Sequence, residues 1–440
     1  MPASDAGKPN IIVVGAGYAG LTAAIECVRH GMHVTIFEST SKLTLQGDII
    51  QLAANSTRVL AKWGDVLADI RAESSLPKQM QCHNSNGELL IAQDLPPDFD
   101  GAPNVYTNRG RTQRIMYEYA ASLGIEVKFN HRVVDFFEDE DGAGVVVDDK
   151  KFTADAVLVG DGVHSRARRV ITGKIESAKT SGFAVYRSWF SLDALKNEPI
   201  LDGIVNSKED LFLVWIGPNT HAIVLTNVNL RSLVCFCTHK DEYEVMESWS
   251  FPGKVKDMLA AVDGWDERLR AVIRNVPPEA IIDWKLLWRD PAQVWVSKLG
   301  RMALIGDSAH PHLPTSGQGA AQAIEDGATI GALLGRSGKE KLPQALQAYQ
   351  KLRYYRTALT QRMGWELRHF WHKTDWDLVA AQPELLQMPQ PQWLFGGDAE
   401  KLVGESYDEV MKAVEEGTDF RPDNLPKAYV HEDWTVESMM

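Results

Sequence analysis

A short apolar run followed by a glycine turn opens the chain. Residues 11–14 are unbroken Ile and Val, which is typical of a strand buried on both faces of a parallel sheet. The glycine-rich residues 15–20 follow, and apolar residues then recur at helical spacing up to Gly31, a typical helix stop. His33–Phe37 predicts a second strand. This region therefore predicts a strand–helix–strand unit.

The same strand-to-turn pattern occurs twice more along the chain. The apolar residues 156–159 lead into a Gly-Asp-Gly turn at 160–162, and the apolar residues 302–305 lead into a Gly-Asp turn at 306–307. A glycine- and alanine-rich helix is predicted to begin near residue 319, and helical pattern dominates from there to about residue 370.

The segment between the second and third turns has a different pattern. A Gly-Pro-Asn turn at 217–219 joins two apolar runs, which predicts an antiparallel sheet. Residues 253–276 have a helical pattern, and the Pro- and Gln-rich residues 382–392 are predicted to be mostly irregular. The predicted strands of this sheet are residues 183–190, 211–216, 221–227 and 232–239.

The first glycine turn has the pattern G-x-G-x-x-G, with Gly15, Gly17 and Gly20. Glycines let the backbone approach a pyrophosphate, and the helix that follows offers free N–H groups. Glu38 ends the second strand, where an acidic side chain binds a ribose diol. A glutamate disfavours a 2′-phosphate here, so the turn predicts NAD or FAD.

Composition and charge argue against several other classes of protein. The net charge of −13 argues against nucleic acid as a partner. The sequence has no apolar run of about 18 residues, so stable membrane insertion is not expected. The four cysteines lack metal-type spacing, and His310 and His312 lack a third ligand. No metal site is therefore predicted, and both histidines are expected to pack within their loop. Cysteine usage and the polar N-terminus predict a cytoplasmic location.

The other two turns resemble motifs of a known family. Residues 154–168 (ADAVLVGDGVHSRAR) and 300–311 (GRMALIGDSAHP) resemble the DG and GD motifs of class A, single-component flavoprotein monooxygenases. All three fingerprints occur in that family's order and usual spacing, from about residue 10 to residue 356. The chain is similar to the shorter, salicylate-hydroxylase-like branch. The resemblance implies bound FAD and a transient NADPH or NADH reductant.

The resemblance also implies roles for particular residues. In that family Asp307 binds the ribityl chain of FAD, and Asp161 lies in a stretch that contacts FAD and NAD(P)H. Arg109 matches the arginine that faces the FAD pyrophosphate, and Arg111 competes with it for this role.

Residues 311–322 resemble the family's segment beside the isoalloxazine ring. A helix beginning at Gly319 and Ala320 would direct its positive end at the flavin N1–C2 edge. The helix end would stabilise the negative charge of reduced flavin by about 0.3–2 kcal/mol.

The segment at 184–190 predicts a strand over the active site. Strand alternation places Tyr186 and Arg187 on opposite faces. The family often has a Tyr-Arg or Phe-Arg pair at this place, so the resemblance implies catalytic roles for Tyr186 and Arg187. We expect Arg187 to project into the pocket, where it orients an anionic oxygen or donates a proton or hydrogen bond. An arginine paired with an acid at a sheet edge is the alternative.

Residues 46–55 resemble the family's segment that runs from the adenosine site towards the ring. Ala53 and Ala54 replace the usual prolines, and Asp48 replaces a small apolar residue. A carboxylate near the flavin needs a partner to offset its desolvation. Asp48 is therefore expected to pair with a substrate amine or a pocket arginine, which suits fungal alkaloid oxygenases. A purely structural aspartate is the alternative.

These observations predict an FAD- and NAD(P)H-dependent monooxygenase. The resemblance implies that O2 and reduced flavin form a C4a-hydroperoxide, which transfers one oxygen atom to a small, hydrophobic, electron-rich aromatic substrate. Asp48 favours indole 2,3-epoxidation of an alkaloid in secondary metabolism. The alternatives are a phenol- or salicylate-type hydroxylase, a flavin halogenase, a plain NAD-dependent dehydrogenase and a non-catalytic flavin-binding protein. The halogenase is disfavoured because its Trp-x-Trp-x-Ile-Pro signature is absent from the sequence.

The predicted fold class is α/β, with a Rossmann-type FAD-binding domain, an inserted antiparallel β-sheet substrate domain and a helical C-terminal region. The FAD-binding domain is predicted to be discontinuous, over residues 1–75, 105–178 and 285–360. The substrate domain takes residues 76–104 and 179–284. The C-terminal helical region and tail take residues 361–440.

Overall fold

The structure is a computed structural model that describes residues 7–43, 49–174, 178–241 and 251–439. The strands are β1 (Asn10–Val14), β2 (His33–Phe37), β3 (Ile49–Leu52), β4 (Gln79–Asn84), β5 (Leu89–Asp94), β6 (Asp98–Phe99), β7 (Ala102–Pro103), β8 (Val105–Asn108), β9 (Glu126–Lys128), β10 (Asp135–Glu138), β11 (Ala143–Val147), β12 (Lys150–Ala154), β13 (Ala156–Val159), β14 (Lys179–Ser191), β15 (Phe212–Gly217), β16 (Thr220–Asn227), β17 (Ser232–Lys240), β18 (Ile281–Trp288) and β19 (Met302–Leu304). The helices are α1 (Tyr18–Arg29), α2 (Ala54–Leu60), α3 (Val66–Ala72), α4 (Arg109–Ser122), α5 (Ala167–Thr172), α6 (Asp202–Val205), α7 (Val255–Ala261), α8 (Glu267–Arg274), α9 (Gly319–Ser337), α10 (Leu342–His372), α11 (Trp376–Ala381), α12 (Gln392–Phe395), α13 (Ala399–Glu416) and α14 (Val436–Met439).

A five-stranded parallel sheet brings the three glycine turns together. Its strand order is β19–β13–β1–β2–β9, and the central strand β1 has Val13 opposite both Leu158 of β13 and Ile36 of β2. Both faces of β1 are covered, which explains its unbroken apolar run. The carboxyl ends of parallel strands lie at one edge of the sheet, so the turns after β1, β13 and β19 meet there. The predicted Rossmann-type fold is confirmed.

Glycines in α9 let this helix pack directly on α1. A Cβ on Gly327 would lie 2.6 Å from the backbone nitrogen of Ala23, and one on Gly331 would lie 2.6 Å from the Cβ of Glu26. Larger residues at these two positions would push the helices apart. The close packing positions the start of α9 next to the first glycine turn.

The second sheet has seven strands in the order β18–β14–β17–β16–β15–β4–β5. The sequence predicted an antiparallel sheet, but β4 and β15 are parallel, with Val214 opposite Cys82. These two strands are far apart in the chain and no hairpin joins them, so their connection does not impose antiparallel pairing. The last strand also extends to Trp288, beyond the predicted domain boundary at residue 284.

The two faces of this sheet have different neighbours. On the outer face, Trp215 packs with Met258 of α7 and Leu269 of α8. On the other face, which we call the inner face, Val214 packs with Leu367 of α10 and with residues of β3 and β8. The inner face therefore lies towards the elements that surround the flavin loop described below.

The helical regions agree with the sequence pattern in type but not in every boundary. Residues 253–276, whose pattern is helical, form the two helices α7 and α8. Within residues 382–392 the structure has one short 3₁₀ turn, Pro383–Leu386, before α12 begins. The longer α13, which the sequence did not predict, packs its apolar residues Leu402 and Val410 into the main core. No helix in the described ranges could cross a membrane. The four cysteines are free.

Candidate active site

The first glycine turn uses its three glycines in different ways. Gly15 has φ +94°, and a Cβ on it would overlap the carbonyl oxygen of Gly160. A Cβ on Gly20 would overlap the carbonyl oxygen of Gly15, whereas one on Gly17 would meet no described atom within 4 Å. No side chain caps the N-terminus of α1 among the described residues. The turn therefore presents an open surface at Gly17 and a helix N-terminus without a side-chain cap, as a pyrophosphate requires.

Glu38 and α4 hold this turn in place. The Glu38 carboxylate accepts hydrogen bonds from the N–H groups of Ala16 at 2.8 Å and Thr40 at 2.7 Å. Gln113 of α4 donates to the carbonyl oxygen of Ala16 at 2.6 Å. The Tyr18 hydroxyl donates to the carbonyl oxygen of Arg109 at 3.0 Å. Glu38 thus lies at the turn, where a ribose diol would reach it.

The structure separates the two candidate arginines at the start of α4. Arg109 is the first residue of the helix and is fastened to the glycine turn through Tyr18. Arg111 forms an ion pair with Glu73, with 3.3 Å between Nη1 and Oε2. Arg111 thus has a carboxylate partner, and Arg109 stays the residue that is predicted to face the pyrophosphate.

Asp161 and Asp307 follow neighbouring strands. Oδ2 of Asp161 accepts a hydrogen bond from the Arg166 N–H at 3.2 Å, while its Oδ1 is buried and has no partner among the described residues. Burial raises the pKa of Asp161, and nearby hydrogen-bond donors oppose that effect. Asp307 lies exposed in the 3₁₀ turn Gly306–Ser308. Both carboxylates are positioned at the edge where the glycine turns meet.

The loop before α9 is fixed by α10. His312 shares a hydrogen bond of 2.9 Å with Thr360, Gln361 donates to the carbonyl oxygen of Pro311 at 2.8 Å, and Thr315 donates to the carbonyl oxygen of Gly364 at 2.7 Å. We call residues 311–318 the flavin loop. It ends where α9 begins, at Gly319 and Ala320, with no side-chain cap on that helix in the described structure.

The histidines of this region pack within the protein, as expected. His310 pairs with Asp326 at 2.7 Å. Burial lowers the pKa of His312 to about 3, so His312 is neutral near pH 7. The described residues include no group of three or more His, Cys, Asp or Glu side chains arranged to hold a metal ion.

A buried ionic network, which the sequence did not predict, lies beneath the flavin loop. Glu325 pairs with Arg353 and with Arg356, and Asp326 pairs with Arg353 at 2.9 Å. Asn55 of α2 donates to Glu325 at 2.6 Å. The acidic pair Glu325-Asp326 within the small-residue helix α9 was the available signal, because acidic side chains in an otherwise apolar buried helix need partners.

The side-chain amides of two glutamines lie at the flavin loop. A Cβ on Gly317 would lie 2.5 Å from Oε1 of Gln51, so the Gln51 side chain lies against the loop. The Nε2 donors of Gln51 and Gln318 are buried without a partner among the described residues. Unused buried donors beside a helix N-terminus fit the carbonyl-rich edge of an isoalloxazine ring. The residues present therefore fit bound FAD.

The structure places Arg187 and Tyr186 on opposite faces of β14, as strand alternation predicted. Arg187 is in register with Phe236 and, through β16, with Val214, so it lies on the inner face. Its guanidinium carbon lies 3.9 Å from the centre of the Trp284 ring. Tyr186 lies on the outer face, where its ring stacks on His239 at 4.1 Å. Asp48 lies outside the described residues.

Comparisons with known proteins agree with this arrangement. A family model described as an FAD binding domain matches residues 8–362. The asperlicin C monooxygenase of Petromyces alliaceus is 36% identical over 95% of this chain and 92% of its own length. The FAD-dependent monooxygenase nanF of Aspergillus nanangensis is 34% identical over 94% of this chain and 93% of its own length.

Solved structures show the same fold. The crystal structure of CtdE in complex with FAD and a substrate has a TM-score of 0.87 at 32% identity, covering 93% of this chain and 100% of CtdE. A salicylate hydroxylase substrate complex has a TM-score of 0.76 at 18% identity over 93% of this chain and 98% of that enzyme, which shows the shared fold. The chain therefore belongs to the FAD-binding-domain family and is an FAD-dependent monooxygenase.

Proposed function

We propose that this enzyme inserts one oxygen atom from O2 into an electron-rich aromatic small molecule of fungal secondary metabolism, with NADPH or NADH as transient reductant. We favour the 2,3-double bond of an indole alkaloid as the target. The observation that carries this proposal is Arg187, which stacks on Trp284 and lies on the inner face of the sheet, the face that packs against α10, β3 and β8. The name of the asperlicin C monooxygenase supports a secondary metabolite as the substrate class.

In this proposal the cofactor and the protein's residues have separate roles. Bound FAD supplies the electron transfer and the oxygen activation. Gly17, Glu38, Arg109, Asp161 and Asp307 bind the cofactor. The N-terminus of α9 places a positive field beside the flavin ring, which favours its reduced, negatively charged form.

Arg187 acts on the substrate side. Its side chain is only 5% exposed, so its cation is largely shielded from bulk water and interacts strongly with a nearby oxygen. We propose that its guanidinium donates a hydrogen bond to an oxygen atom that becomes negatively charged during oxygen transfer. Stacking on Trp284 holds the guanidinium plane in one orientation.

For Tyr186 we propose a positioning role in place of the catalytic role that the resemblance implies. Its ring stacks on His239, and His239 pairs with Asp283 of β18 at 3.0 Å on the outer face. We propose that Tyr186 positions β14, and therefore Arg187, without touching the substrate. For Asp48 we retain the prediction that its carboxylate pairs with a substrate amine or a pocket arginine.

The test is oxygen incorporation by the FAD-loaded protein. Candidate indoles and phenols are screened for NADPH and NADH consumption that rises with the compound, and the products are examined by mass spectrometry under heavy-isotope O2. We expect one labelled oxygen atom per product molecule with an indole. Compound-independent NAD(P)H oxidation that yields only hydrogen peroxide would contradict the proposal.

Substitution of Arg187 tests its proposed role. Arg187→Ala should lower kcat by about 100- to 10,000-fold with FAD content unchanged, the range for loss of a positioned proton or hydrogen-bond donor. Arg336→Ala is the matched control, because the Arg336 guanidinium also stacks on an aromatic ring, that of Tyr407 at 4.3 Å. Arg336 lies in the last turn of α9, at the opposite end of this helix from the flavin loop. Full activity of Arg187→Ala would remove this residue from the mechanism.

Asp48 is tested with a basic-amine substrate and its neutral analogue. Asp48→Ala should raise KM for the amine by about tenfold and leave KM for the neutral analogue unchanged, because only the amine loses an ionic partner. Unchanged KM for both compounds would overturn the pairing.

A further inference from the structure

Arg368 of α10 is a buried cation without an acidic partner among the residues that the structure describes. It is 7% exposed, and its guanidinium carbon lies 4.0 Å from the Trp365 ring centre and 5.1 Å from that of Phe183. Its hydrogen bond in the structure is a long one, 3.5 Å to the carbonyl oxygen of Ser181. No carboxylate of the described residues forms an ion pair with it, and burial lowers the pKa of Arg368 to about 10.

The other buried arginines of the same helix show how unusual this is. Arg353 and Arg356 lie about four and three turns earlier on α10, and each pairs with a carboxylate of α9. A buried charge without a partner is costly, so it is retained where another molecule supplies the acceptor. The two aromatic rings around Arg368 offset only part of that cost.

Arg368 lies on the substrate side of the fold. It is one helical turn beyond Gly364, whose backbone accepts the Thr315 hydrogen bond of the flavin loop, so Arg368 lies about 6 Å further along α10. Phe183, Val185 and Arg187 alternate onto the inner face of β14. Arg368 contacts the ring of Phe183, which lies four residues before Arg187 on β14. The two arginines are therefore near opposite ends of a stretch of this face that is about 13 Å long.

We infer that Arg368 binds an oxygen acceptor of the substrate, a carboxylate or an amide carbonyl, at the end of the pocket opposite to Arg187. Phe183 and Trp365 provide apolar walls for the part of the molecule between its oxygen and its reacting ring. The substrate class is then an elongated aromatic molecule with an electron-rich ring near Arg187 and a carbonyl-type oxygen several bonds away. This inference rests on the proposed aromatic substrate.

Three probes separate the contribution of the oxygen from that of the ring. They are indolebutanoate, indolebutanamide and butylindole, each substituted at ring carbon C3. Their dissociation constants are measured by calorimetry on the FAD-loaded protein without NAD(P)H, so that no turnover is needed. We expect at least one oxygen-bearing probe to bind about 10- to 100-fold more tightly than butylindole, the range for a hydrogen bond to a charged group. Equal affinities, or no binding of any probe, would overturn the inference.

Variants of Arg368 assign the contact and the charge of the acceptor. Arg368→Met should remove the preference for the oxygen-bearing probes over butylindole and leave the affinity for butylindole unchanged. Retained preference for the acid in Arg368→Lys indicates a carboxylate acceptor, and retained preference for the amide in Arg368→Gln indicates a carbonyl. Arg362→Met is the control, because Arg362 lies on the same helix, is 40% exposed and pairs with Glu366. A preference that survives in Arg368→Met would refute the inference.

Thermal melting distinguishes ligand binding from a structural role. Without ligand, Arg368→Met should melt at or above the temperature of the wild type, since it removes an unpaired buried charge. A melting temperature several degrees below that of the wild type, together with loss of binding of all three probes, would show that Arg368 stabilises the fold and would refute the inference. Product analysis tests the oxygenase proposal separately, since these affinities do not depend on oxygen transfer.

Discussion

The buried carboxylate of Glu325 offers a sharp test of what holds the flavin loop in place. It accepts hydrogen bonds from Nη1 of Arg353, from Nε and Nη2 of Arg356, both at 2.8 Å, and from Asn55 at 2.6 Å. Glu325→Gln keeps the shape of the side chain but removes its charge. Arg353 then keeps its pair with Asp326, whereas Arg356 loses the carboxylate with which it forms its ion pair.

The structure allows the cost of this substitution to be worked out. Burial by itself raises the pKa of Glu325, but the positive charges of Arg356 and Arg353 outweigh it and lower the pKa from 4.5 to about 2. At about 1.36 kcal/mol per pH unit, this difference contributes about 3 kcal/mol to stability. Removing one partner of a buried ion pair costs about 3–5 kcal/mol in other proteins, in agreement.

The free energy of unfolding in urea near neutral pH measures the cost. We expect Glu325→Gln to lower it by about 3–5 kcal/mol. Glu366→Gln is the matched control, because its exposed pair with Arg362 at 2.8 Å should contribute less than about 1 kcal/mol. The carboxylate's contribution is present above its unfolded-state pKa of 4.5 and is lost as the pH falls towards 2, so the variant should also lose part of its acid sensitivity in that window. Equal costs for the two substitutions would refute the electrostatic argument.

Two further predictions concern the glycine turn and the inner face. Gly20→Ala should unfold the protein or lower its melting temperature, because the added Cβ overlaps the carbonyl oxygen of Gly15, whereas Gly17→Ala should melt normally and bind less FAD, as measured by flavin absorbance. Normal FAD content in Gly17→Ala would argue against its contact with the pyrophosphate. Burial lowers the pKa of His221 to about 3 and that of His372 to about 2, so both are neutral in the folded state and the unfolded state binds more protons below pH 6.5. Stability should therefore fall as pH drops below 6.5, by about 2 kcal/mol for each histidine and so about 4 kcal/mol for the two near pH 5, and a urea titration of His221→Phe should show a weaker dependence.

The cofactor side of the site could be predicted from sequence because local backbone geometry builds it. Gly15, Gly17 and Gly20 work through the space they leave, and the strand before them and the helix after them are visible as periodic patterns. The same holds for the start of α9 at Gly319. Each of these features depends on residues within a few positions of one another, so a sequence pattern is enough to predict it.

The substrate side depends on contacts between distant segments. Strand alternation predicted that Tyr186 and Arg187 face opposite ways, but no local pattern indicates that Trp284 stacks on Arg187. The pairing of β4 with β15 likewise joins segments more than a hundred residues apart. Patterns of period two or 3.6 predict the element but not its neighbour.

The buried ionic network shows how a long-range feature leaves a local trace. Glu325 and Asp326 lie on a helix whose other buried residues are mostly small or apolar, and such carboxylates persist only when cations are buried with them. That requirement predicts buried arginines elsewhere in the chain, and α10 supplies Arg353 and Arg356. By the same reasoning Arg368, buried on the same helix without an ion pair to any carboxylate that the structure describes, is proposed to take its acceptor from the substrate. Buried charge therefore connects the folding of α10 to the substrate it is proposed to bind.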